Sequence, residues 1–151
     1  MHTTMKYMKP KREILESDAI QPDKLREAVR ESQERNTCTN ALAEYLLNIH
    51  DIVLKTQSFF LSASMEEKEE ARSYSLERWL TSGIYKINLE QHYNPFSYIY
   101  AGVYLNMLNR IMRLRKSEAD KAEYTQKVLE EFRSQFPEMS MVRTENNDDN
   151  Y

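Results

Sequence analysis

Two glycines and four prolines in 151 residues leave this chain few places to turn. Sheet proteins need frequent tight connections and draw heavily on those two residue types. So small a supply favours a few long helices, and the expected fold is all-α. The length suits one domain with a modest core. Charged residues make up 30% of the chain and the mean hydropathy is -0.77, so part of it should be solvated arms.

Residues 1 to 36 read as a polar arm that carries a short charged helix, Asp23 to Arg35. The apolar face of that helix is only Leu25, Ala28 and Val29, which predicts a weak hold. Residues 37 to 136 read as the main helical domain. Ala41 to about Phe60 is its first amphipathic helix, with Leu42, Tyr45, Leu46, Ile49, Ile52, Val53 and Phe60 as the apolar stripe. Ser64-Met-Glu-Glu67 matches a capping box and opens the next helix, Met65 to about Ile87. Ala71, Leu76, Trp79, Leu80, Ile84 and Ile87 are its inner side, and Gly83 stands within it. Glycine inside a helix costs about 1 kcal/mol against alanine, which suggests that another backbone approaches there. Pro137 ends the last helix, and residues 137 to 151 read as a disordered acidic tail.

The last helix begins at Asn94-Pro95, where an Asn side chain can cap and a Pro fits the first helical position. Ala101, Tyr104, Leu105, Leu108, Ile111 and Met112 repeat at spacings of three and four and predict its apolar face. Tyr98, Gly102, Asn106, Asn109, Arg110, Arg113 and Lys116 repeat likewise on another side. Residues 94 to 116 contain four cations and no acid, in a chain of net charge -3. Tyr98 and Tyr100 are the side-chain type that stacks on bases, Asn106 and Asn109 the type that bonds base edges. Arg110, Arg113, Arg115 and Lys116 suit phosphates. The same residues also suit an ordinary solvated helix face. Acid-rich segments follow: residues 117 to 132 hold five acids and two lysines, residues 137 to 151 four acids and one arginine. A basic stretch beside acidic ones suits a protein that does not bind DNA strongly alone, and equally an ordinary soluble one.

Catalysis is not expected. His2, His50 and His92 have no metal-ligand spacing to one another or to Cys38, and two glycines do not make a phosphate-cradling loop. No metal and no cofactor are expected. A single cysteine excludes an internal disulfide and fits a reducing compartment. No apolar run approaches the ~20 residues that span a bilayer, and the first residues lack the apolar core of a signal peptide.

The Asn94–Lys116 stretch resembles the late-transcription sigma factors of T4-like tailed bacteriophages. In that family an Asn-Pro-aromatic start leads into a helix that ends in Arg-Ile and a basic cluster. The matching residues here are Asn94, Pro95, Phe96, Ser97, Tyr98 and Ile99, then Arg110, Ile111, Arg113, Arg115 and Lys116. Trp79 to Ile87 is similar to the core-binding helix of the same fold, and Thr39 to Phe60 to the first helix of the second conserved sigma region. The resemblance extends over about 100 residues, of which only 94 to 116 form a specific motif.

The resemblance implies a non-enzymatic initiation factor acting in the cytoplasm of the infected bacterial host. It would hold bacterial core RNA polymerase, at the clamp coiled coil of the largest subunit, through Glu77, Trp79, Leu80, Ser82, Gly83 and Ile84. It would read a short A·T-rich promoter element through Tyr98, Tyr100, Asn106, Asn109, Arg110, Arg113, Arg115 and Lys116. A late co-activator or the replication sliding clamp is a further partner in such systems. The tail here has only Met139, Met141, Val142 and Tyr151 as apolar side chains, which argues against a clamp-binding peptide. Two departures stand out. Ser82 occupies the place of the usual acid before the Gly-Ile pair, and Ala101-Gly102 stand near the place where principal sigma factors carry two adjacent aromatics. The rival expectation is a helical adaptor or inhibitor of host polymerase that makes no DNA contact.

Overall fold

The structure is a computed structural model, and it describes residues 20 to 135. The arm before Ile20 and the tail expected from 137 on lie outside the described residues. Among the described residues there are four α-helices and no strand. They divide into two compact units, with the boundary between Met112 and Arg113. No described helix is long and apolar enough to cross a membrane.

Helix α1, Pro22–Arg35, starts on a proline and closes at Asn36, whose backbone is left-handed at φ 56°. There the N–H of Thr37 donates to the Ser32 carbonyl at 3.1 Å, a common way to satisfy a helix end. The weak hold expected for this helix is not what forms. Leu25, Ala28, Val29 and Ser32 are buried, and the Gln33 amide donates to the carbonyls of Ile84 and Ile87, both at 2.8 Å. A polar side chain thus ties the helix to a distant turn, which apolar counting overlooks.

Helix α2, Asn40–Thr56, is capped by Thr39, whose hydroxyl accepts the Leu42 N–H at 3.2 Å. Leu42, Leu46, Ile49 and Val53 are buried, as the stripe predicts. The helix stops at Thr56, and a 3-10 turn over Ser58–Ser62 carries Phe59 and Phe60 into the core. His50 is fully buried on α2. Its Nδ1 lies 2.7 Å from the Leu46 carbonyl, which only accepts, so Nδ1 carries the proton. Nε2 then accepts from the Ser75 hydroxyl at 2.8 Å. Burial pushes this imidazole down to about 4, against a smaller upward pull from the Leu46 carbonyl.

Helix α3, Met65–Thr81, opens on the expected capping box: the Ser64 hydroxyl accepts the Glu67 N–H, and the Glu67 carboxylate accepts the Ser64 N–H. It ends earlier than the reading to Ile87. Ser82, at φ −143°, ψ −37°, leaves the helix, and a 3-10 turn over Gly83–Lys86 follows. This break aims Ile84 and Ile87 inward.

Helix α4, Phe96–Gln135, has 40 residues and contributes to both units. Asn94 caps its start as expected, the side-chain oxygen accepting the Phe96 N–H at 3.1 Å. Its buried face is Phe96, Ile99, Tyr100, Val103, Tyr104, Met107 and Ile111. Leu105 and Met112, assigned to the apolar face, are 52% and 42% exposed. The buried stripe is therefore turned by one residue, about 100°, from the expected one.

Candidate nucleic-acid interface

Trp79 is the sole tryptophan, and the two glycines of the chain flank its ring. A β-carbon at Gly83 would stand 2.5 Å from Trp79 Cε3, and one at Gly102 would stand 2.5 Å from Trp79 Cζ2. The close approach expected at Gly83 is therefore made by an indole and not by a backbone. Trp79 is 5% exposed, and its Nε1–H is buried without an acceptor among the described residues. Tyr98, from the first turns of α4, meets the indole edge to face at 6.2 Å, and its other neighbour is the His92 ring at 4.7 Å.

Beside this cluster the first unit has a groove of about 380 Å³, within the ~300–1,000 Å³ of small-ligand sites. Its walls are the end of α3 with the following turn (Arg78, Trp79, Ser82, Gly83, Lys86) and the first half of α4 (Tyr98, Ala101, Gly102, Leu105, Asn106). Two cations and no acid line it, although the whole chain is net negative. Small residues make the space: Gly83, Ala101 and Gly102 line it beside an indole that is itself almost fully buried. An arrangement of one half-exposed aromatic, Tyr98, a carboxamide, a hydroxyl and two rim cations can stack on a planar ring, bond its polar edge and hold a phosphate.

The structure sorts the residues singled out in sequence. Tyr98 and Asn106 lie in the groove, and Asn109 is exposed further along α4. Tyr100 is removed from any interface. It is fully buried, with its hydroxyl 2.5 Å from Thr56 Oγ1 and accepting from Gln57 Nε2 at 3.0 Å. Arg110 is held by Glu70 on α3 through two hydrogen bonds. Arg113, Arg115 and Lys116 belong to the second unit. There Arg113 and Lys116 are exposed and border an open surface with Asp120, Lys121 and Tyr124.

On α3, outside the groove lining, Glu77 and Leu80 are exposed, the latter by 37%. Ser82 and Gly83 line the groove itself. Ile84 is fully buried and cannot touch a partner. Of the two sets of residues read separately in sequence, Trp79, Ser82 and Gly83 from one and Tyr98 and Asn106 from the other line the same groove. Arg78 and Lys86 were missed by sequence reasoning. Lys86 carries no signal, because the pattern over the turn that presents it, Gly83–Lys86, is that of a continuing helix. Arg78 had one: it follows Tyr74 by four residues, and its guanidinium lies 5.6 Å from that ring. No protein-family pattern, no curated protein and no solved structure matches the chain.

Proposed function

We propose that the chain is a sigma-like initiation factor, built like the second conserved sigma region, that brings bacterial core RNA polymerase to late promoters of a tailed phage. It performs no chemistry of its own. The observation that carries this reading is the acid-free groove at Trp79 and Tyr98, in a protein of net charge -3 and on the helix that bears the Asn94–Lys116 motif.

In the proposed mechanism the groove receives an exposed base of a short A·T-rich element. Tyr98 stacks on the base, at about 1–3 kcal/mol per base, and Asn106 bonds its edge. Arg78 and Lys86, which line the groove, hold neighbouring phosphates, and within the second unit, taken by itself, Arg113, Arg115 and Lys116 are of the type that suits phosphates. Glu77 and Leu80, exposed on α3 and outside the groove lining, are the residues left for polymerase. The deciding experiment is a pull-down with bacterial core polymerase followed by run-off transcription on phage DNA. Retention of polymerase and specific late transcripts support the reading, and capture of polymerase without transcripts supports an adaptor or inhibitor. The adaptor reading draws on two observations, the burial of Tyr100 and the hold of Glu70 on Arg110.

A further inference from the structure

Arg110 is the last cation of the first unit. Its Nε and Nη2 both donate to Glu70 Oε2, at 3.0 and 2.8 Å. Its guanidinium also lies over the Tyr74 ring, 5.1 Å from the centroid. Glu70, Tyr74 and Arg78 follow one another at four-residue steps along α3; Arg110 meets the acid and the ring, and Arg78 meets the same ring. The acid that meets this DNA-type cation is therefore not one of the flanking acids along the chain. It stands forty residues upstream and reaches Arg110 only through the packing of α3 on α4.

We infer that Glu70 is a specificity-determining residue, an internal stand-in for a phosphate that keeps Arg110 from contributing to indiscriminate DNA binding. This rests on the nucleic-acid reading given above. An unpaired arginine gains from any phosphate, whatever the sequence, because each contact frees a counterion from the DNA. A paired one gains only the difference between a phosphate and its present carboxylate. The carboxylate left behind takes up a cation, which cancels the one released. Contacts in the groove carry no such penalty, so the pair lowers binding to random duplex relative to DNA with a base seated beside Trp79. The arginine and glutamate side chains are 32% and 46% exposed, and pairs in that range shift equilibria by no more than about fivefold. Glu70 therefore positions Arg110 without locking it.

The test uses the full chain without polymerase and a labelled duplex of random sequence, read by fluorescence anisotropy through a salt titration. Glu70→Gln should tighten binding about two- to fivefold at low salt. It should also steepen the slope of log K against log salt by about 0.9, the value for one added phosphate contact. Arg110→Ala should keep the wild-type slope. In the double variant the gain from Glu70→Gln should vanish. A purely structural ion pair would move the melting temperature and leave the slope alone. Equal slopes for Glu70→Gln and wild type would overturn the inference. So would a gain that survives in the double variant, which reports the change in net charge alone, or no measurable binding by any variant. Wild-type run-off transcription, measured in parallel, judges the proposed function separately.

Discussion

A β-carbon on Gly102 would lie 2.5 Å from Cζ2 of Trp79, inside any real carbon–carbon contact. One glycine of α4 thus lets the only indole of the chain lie against the helix that forms the groove's second wall. Gly102→Ala should gain up to about 1 kcal/mol of helix propensity and lose more, about 1–3 kcal/mol, to overpacking. Urea melts should show net destabilisation. Trp79→Phe, smaller at the point of contact, should recover part of it, and the two changes should be non-additive. Additive losses would mean that the ring and the glycine do not meet.

Trp79→Ala should destabilise the protein by about 3–5 kcal/mol, because a ring 5% exposed leaves a large cavity. A thermal melt beside the polymerase pull-down separates this core role from the polymerase contact that the resemblance implies. A nearly unchanged melt with a failed pull-down would show a surface contact and contradict the burial.

Tyr98 and Tyr100 should part company. Tyr98→Ala should leave most of the stability intact and weaken binding of single-stranded promoter DNA by about 1–3 kcal/mol. Tyr100→Phe should cost about 1–3 kcal/mol of stability, since Gln57 and Thr56 lose a buried partner, and leave binding of the folded protein unchanged. Melts and strand-binding titrations on both variants check the contrast.

His50 predicts an acid-sensitive fold. Its pKa is about 4 in the folded chain against an ordinary 6.5, so the neutral ring is the folded form. The stabilisation is complete above pH 6.5 and is lost as pH falls through 4, because only the unfolded chain takes up the proton in that window. The loss should amount to about 3 kcal/mol at pH 4. His50→Gln removes the titrating ring, and its amide can still bond the Leu46 carbonyl or Ser75. Urea melts at intervals from pH 7.5 to 4 should fall more steeply for wild type than for this variant. Parallel curves would place the titration elsewhere.

The strongest local signals in the sequence corresponded to definite pieces of structure. Asn94 before a proline and Ser64 three residues before Glu67 are side chains that satisfy orphan N–H groups of their own helix, so no distant partner is needed to place those ends. The stripe of α2 was legible because polar residues separate its apolar ones. In α4 apolar side chains occupy most positions from Phe96 to Leu108, so two stripes one residue apart fit the pattern equally well. Only packing chose between them. Tyr100 turned inward because Thr56 and Gln57 offer its hydroxyl partners there, while Leu105 was left outside. The end of α3 was likewise invisible in sequence, since Gln33, some fifty residues away, takes the carbonyls that the break releases. The groove and the Glu70–Arg110 pair join residues far apart in the chain, from α3 and its following turn on one side and α4 on the other. The sequence by itself determined helices, caps and a cationic stretch, because those depend on neighbours within one turn. What the two glycines are for and which acid holds Arg110 were decided by the docking of α3 on α4, and which tyrosine turns inward by the packing of the end of α2 against α4.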